Sequence, residues 1–144
     1  MQPINKMKTE FLSKSANESF ARVVAASFAA QADPPIDILA DIRTAVSEAV
    51  TNAIVHGYEE GEGTIVMECL LFHDWIEISV QDFGKGIPDV EQAKTPLYTT
   101  RPDLERSGMG FTVMETFMDS LTVESAPGKG TRIVMTKHLE NRQA

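Results

Sequence analysis

The sequence predicts an α+β fold, a two-layer sandwich with helices on one face of a mixed, mostly antiparallel sheet. Three observations lead there. Ile76, Ile78 and Val80 alternate with Glu77, Ser79 and Gln81, the period of a strand with one solvated face, which favours antiparallel pairing. Leu39, Ile42, Val46, Val50, Ala53 and Ile54 recur at helical spacing instead. The elements read in the order β-α-α-β-β-loop-α-β-β, which segregates the helices from the strands.

Residues 1–7 are polar and expected to be disordered, and Lys8–Ser13 reads as a short edge strand. Ser15-Ala16-Asn17-Glu18 has the spacing of a capping box. A helix follows to about Ala32, with Phe20, Val23, Val24, Phe28 and Ala32 expected on its buried side. Asp33-Pro34-Pro35 stops it, because proline cannot continue a helix and restricts the residue before it. The second helix spans about Asp37 to His56, and Gly57 stands where a C-cap glycine is expected. After the polar turn Glu59–Gly63, strands Thr64–Phe72 and Trp75–Asp82 flank the tight turn His73-Asp74. Val90–Lys94 makes one helical turn, and Thr95–Ser107 is a long segment with two prolines and no periodicity. Loops of that length are functional or disordered. Gly108-Met109-Gly110 opens a third helix, Phe111–Asp119. Strands Leu121–Ser125 and Thr131–His138 close the chain around the turn 126–130, leaving a frayed tail at 139–144.

With 144 residues, the chain fits one domain with a real core. A formal charge of −8 argues against nonspecific binding to nucleic acid or anionic membrane. The single cysteine, Cys69, sits in an alternating apolar run and reads as core. The N-terminal residues lack the apolar centre of a signal peptide, and a cytoplasmic location is expected.

Four short motifs carry the chemistry. Glu48 and Asn52 lie four residues apart within the second helix, on one face. Alone, the pair reads equally as solvated side chains. Asp82-Phe83-Gly84-Lys85-Gly86 ends a strand. A carboxylate there can accept from an exocyclic amine such as that of adenine, beside glycines that admit a flat ring. Asp82-Phe83-Gly84 also spells the metal-binding tripeptide of eukaryotic-type protein kinases, but the catalytic-loop and strand motifs of that fold are missing. Gly108-Met109-Gly110 precedes a helix, whose free N–H groups suit phosphate. Gly128-Lys129-Gly130-Thr131 is a hairpin turn rather than a P-loop, since Val123 stands where the first glycine belongs.

In this order the motifs resemble the N box and glycine boxes of the GHKL ATPase superfamily, which includes gyrase B and the sensor histidine kinases. NESFARV at 17–23, SEAVTNAIVHGY at 47–58 and PLYTTRPDLERSGMGFTVMETFMD at 96–119 resemble more closely the anti-sigma-F family of sporulating bacteria, whose members are serine kinases. The similarity runs from about Phe11 to His138. It implies the Bergerat ATP-binding fold, ATP with Mg²⁺, a sporulation sigma factor and an anti-anti-sigma factor as partners, and a homodimer. It makes Glu48 the catalytic base and Asn52 the Mg²⁺ ligand, and it makes Thr95–Ser107 a lid. Around ATP it places Asn52, Asp82, Gly84, Gly86, Thr99, Arg106, Ser107, Gly108, Gly110, Phe111 and Thr131. Arg22 and Thr51 are its partner-binding positions. Arg106 also reads as a solvated loop charge. His56 is read as a helix-end histidine that suits the dipole, not as a phosphate acceptor. Two other readings remain: a nucleotide-dependent binding module with little phosphate transfer, and a detached histidine-kinase-like ATPase domain.

Overall fold

Alternation of apolar and polar residues decides the sheet. The computed structural model describes residues 2–58, 61–94 and 110–140. Strands β1 (Asn5–Leu12), β2 (Thr64–Leu71), β3 (Trp75–Asp82), β4 (Ser120–Ser125) and β5 (Thr131–His138) form one sheet in the order β1-β2-β3-β5-β4. All of its pairings are antiparallel, so the expected mixed sheet has no parallel pair. Ile65, Met67, Cys69, Ile76, Ile78, Val80, Ile133 and Met135 are buried toward the helices. Burial pushes the Cys69 thiol up to about 12, which leaves it a protonated core residue.

The edge strand is longer than expected. Residues 5–7 belong to β1, which pairs register for register with β2 from Asn5↔Leu71 to Leu12↔Thr64. An edge strand needs only one inward row, here Met7, Thr9 and Phe11, so its polar residues disguised it. At the other end Leu139 is buried, and its N–H donates to the Asp74 carbonyl at 2.9 Å, so the expected fraying does not begin there.

The helical layer is α1 (Ala16–Ala29, continued by a 3₁₀ turn Ala30–Ala32), α2 (Ile36–Asn52), the single turn α3 (Val90–Ala93) and α4 (Gly110–Phe117). In α2 the apolar stripe behaves as expected, with Ile42, Val46 and Val50 buried and Leu39 against the core. In α1 it does not. Ala21, Ala25 and Ala29 are fully buried, whereas Phe20 and Val23 are 53% and 52% exposed. Alanines at i, i+4 spacing let α1 approach its neighbours closely, which rotates the larger side chains outward. Val24 and Phe28 keep partial contact with the core, and Ala32 is exposed.

The capping box does not form either. Ser15 has helical φ −53° and ψ −36° and makes no side-chain cap, whereas a capping residue is normally extended. The turn is closed by the Asn17 N–H on the Lys14 carbonyl at 2.9 Å and the Asn17 amide on the Leu12 carbonyl at 2.9 Å. Glu18 turns instead toward Arg22. Across the layers, Lys137 of β5 donates to Asp41 of α2 at 3.2 Å and to the Phe117 carbonyl of α4 at 2.6 Å.

Candidate functional site

The site is built where α2 ends against the end of β3. Glu48 and Asn52 both lie within α2, so the i, i+4 relation holds, and both are half-buried. After Asn52 the helix widens into a π turn, Ala53–Gly57, in which the Tyr58 N–H reaches the Ala53 carbonyl at 3.3 Å. Such turns are rare and concentrate at functional sites.

Gly57 does not cap this helix in the left-handed conformation. Its glycine has a steric reason: a Cβ there would lie 2.7 Å from the Asp82 Cγ. Gly84 answers it, since a Cβ on Gly84 would overlap the Gly57 carbonyl oxygen, which also accepts the Lys85 N–H at 3.1 Å. Gly86, at φ 77°, lies against the Ala126 carbonyl of the β4–β5 turn. The glycines of the loop therefore seat it on the π turn that follows α2 and on the β4–β5 turn.

Asp82 is 2% exposed. Burial pushes its carboxyl above the usual range, opposed by hydrogen bonds from the backbone N–H groups of Gly84 and Thr131. The Gly84 N–H lies 2.9 Å from Oδ1. Thr131 pairs opposite Asp82 in the β3–β5 ladder, with its hydroxyl 2.8 Å from that of Ser125. A buried carboxylate held by backbone N–H groups suits a ligand that donates hydrogen bonds, such as an amino-substituted ring.

Gly110 opens α4, and the Phe111 side chain is buried in the core, so only its backbone can face a ligand. Thr99, Arg106, Ser107, Gly108 and the segment 95–107 lie outside the described residues.

A groove of about 260 Å³ lies between α1 and α2, lined by Arg22, Ala40, Arg43, Thr44, Ser47 and Glu48. Arg22 Nε lies 3.6 Å from Glu18 Oε2, and neither buried atom has a hydrogen-bond partner. Thr51 is half-buried one turn beyond Ser47. Glu48 thus borders this groove, while Asn52 leads into the turn seated on Asp82. Sequence reasoning found Arg22 and Glu48 but missed Arg43 and Ser47. Their only signal is the i, i+4 step that puts Arg43 beside Ser47, and it says nothing until α1 is docked.

Among the described residues no group of three or more His, Cys, Asp or Glu side chains could hold a metal. One amide oxygen from Asn52 fits Mg²⁺, which keeps several waters and shares phosphate oxygens rather than filling a protein cage.

The model of the histidine kinase-like ATPase domain matches residues 11–137. The anti-sigma F factor of Clostridium novyi is 62% identical over 138 residues, covering 95% of this chain and 96% of that relative. That of Thermoanaerobacter sp. strain X514 is 60% identical over 96% of this chain and 97% of its own. Among solved structures, the RsbU and RsbW domains of a Mycobacterium tuberculosis protein share the fold at TM-score 0.67 and 20% identity, over 95% of this chain and 32% of that one. With a histidine kinase-like ATPase domain matched over most of the chain and relatives matched over nearly their full length, the chain belongs to the anti-sigma F factor family.

Proposed function

We propose that the protein is an anti-sigma factor and an ATP-dependent serine kinase, which holds a sporulation sigma factor inactive and phosphorylates a serine of its anti-anti-sigma antagonist. The observation that carries the reading is the position of Glu48. It lines the α1–α2 groove with Arg22 and Arg43, one helical turn from Asn52 and the nucleotide side. A protein serine entering along the groove meets a carboxylate there. The names of the relatives support the sigma partner.

In the transfer, the serine Oγ attacks the γ-phosphorus as its proton passes to Glu48. The new O–P bond forms as the bond from the γ-phosphorus to the β,γ-bridging oxygen breaks, and ADP leaves with that electron pair. Asp82 accepts the adenine amine, and the N-terminus of α4 faces phosphate. Asn52 would hold Mg²⁺, which when bound neutralises phosphate charge. Arg22 and Thr51 contact the protein partners, and Thr99, Arg106, Ser107 and Gly108 belong to the proposed nucleotide side. The protein works in the cytoplasm as a regulator of transcription. No helix among the described residues is long and apolar enough to cross a membrane.

Titration calorimetry with ATP tests the site. Asn52→Ala is expected to weaken Mg²⁺-dependent ATP binding roughly 10–100-fold, the scale of one charge-assisted contact. An unchanged affinity would remove Asn52 from the metal. We place the homodimer contact at β1 and α1, where Ile4, Leu12, Phe20 and Val23 are exposed beside the edge of the sheet. Sedimentation equilibrium should give twice the chain mass for wild type and a lower mass for Phe20→Glu. A wild-type monomer would refute the dimer.

A further inference from the structure

The hydroxyl of Tyr58 occupies a place in the sheet that belongs to the backbone. In the β2–β3 ladder Ile65 stands opposite Asp82. One residue further on, antiparallel register sets Thr64 opposite Phe83. That rung is filled by Tyr58, whose hydroxyl donates to the Thr64 carbonyl at 2.7 Å and accepts the Phe83 N–H at 2.6 Å. A phenol oxygen between a carbonyl and an N–H holds the two chains further apart than direct pairing would. The strands therefore part immediately after Asp82.

Tyr58 follows directly on the π turn that begins after Asn52. The two residues 57 and 58 touch four successive residues of the loop. Gly57 lies against the Asp82 carboxylate and the Gly84 backbone, its carbonyl accepts the Lys85 N–H, and Tyr58 takes the Phe83 N–H. The ring is seated on Gly63, where any Cβ would overlap it. Burial pushes the phenol above its usual range, so it stays protonated and can donate and accept at once.

We propose that Tyr58 is a positioning residue for purine recognition: its hydroxyl, wedged between Thr64 and Phe83, fixes the Asp82 carboxylate relative to Asn52 and thereby sets the preference for adenine over guanine. The inference rests on the nucleotide reading of this site. A carboxylate discriminates the two purines because adenine presents an amine where guanine presents a carbonyl, which it repels. That discrimination depends on where the carboxylate sits, and a site built for a specific hydrogen bond loses selectivity when the partner drifts. Without the hydroxyl, the Phe83 N–H loses its acceptor, the Thr64 carbonyl loses its donor, and the strand ends are free to close by one rung.

The test is Tyr58→Phe, which keeps the ring and its seat on Gly63. Dissociation constants for ATP and for GTP are measured with Mg²⁺ in excess, alongside a thermal melt. The ratio of the GTP constant to the ATP constant is expected to fall by about tenfold or more, through weaker ATP binding. A purely structural role would weaken both nucleotides by one factor. A variant with the wild-type ratio, whatever its melting temperature, overturns the inference and leaves the nucleotide site standing. Wild-type protein that binds both nucleotides equally overturns the inference alone, and wild-type protein that binds neither overturns the nucleotide reading and the inference with it.

Discussion

Glu48→Gln is expected to bind ATP and the sigma factor as wild type does, and to lower phosphate transfer to the antagonist by about 10²–10⁴-fold, the usual worth of a general base. Glutamine keeps the size of the side chain at a half-buried position on α2, so the fold and the α1–α2 groove are retained. What the substitution removes is the negative charge and with it the ability to take the serine proton. Single-turnover transfer under saturating ATP reads the effect directly, and binding of both ligands serves as the control. A variant transferring at near the wild-type rate would mean that another group, or the phosphate itself, receives the proton.

Asp82→Asn is expected to separate binding from stability. The carboxylate is buried and its protonated form is favoured by that burial. Replacing it exchanges the charged acceptor proposed for the adenine amine for a neutral amide and should weaken ATP binding roughly 10–150-fold, from about 1.5–3 kcal/mol for a hydrogen bond to a charged group. The same change removes a buried charge while the amide oxygen can still accept the Gly84 N–H, so the protein stays folded at neutral pH. The pH dependence has a definite sign. A carboxyl whose folded value is raised binds its proton more tightly in the folded state than in the unfolded one. Its contribution to stability is therefore fully present below the ordinary aspartate range and is lost as pH rises through the raised folded value. The melting temperature of wild type should gain on that of Asp82→Asn as pH falls through this window. A difference that does not vary with pH would contradict the assignment.

Much of this site was legible in the sequence because its signals are local. Helical periodicity sets Glu48 and Asn52 on one face, and a strand ending in a glycine loop marks Asp82, whereas the roles expected of them came from the resemblance to a known family. The two hairpins follow from tight turns between strand-like runs, but the β1–β2 and β3–β5 pairings that order the sheet do not, and Ser79, expected on a solvated face, is buried. What was not legible depends on contacts between distant segments. Gly57 looks like a helix cap until Asp82 is seen against it, 25 positions away in the chain. The α1 face was misjudged because size was taken for burial, whereas close helix packing selected Ala21, Ala25 and Ala29 and turned Phe20 and Val23 outward. Ser15 carries the right residue type for a cap but sits within the helical region already. The role of Tyr58 depends on the register of two strands to which it does not belong, and no spacing in the sequence encodes it.

The most direct measurement mixes the protein with γ-labelled ATP, Mg²⁺ and its anti-anti-sigma protein, and asks where the label goes. Label on a serine of the antagonist, abolished by Glu48→Gln and retained in a His56→Ala variant, is the predicted result. Label on His56 of the protein itself, or hydrolysis of ATP with no labelled protein, would contradict a serine kinase.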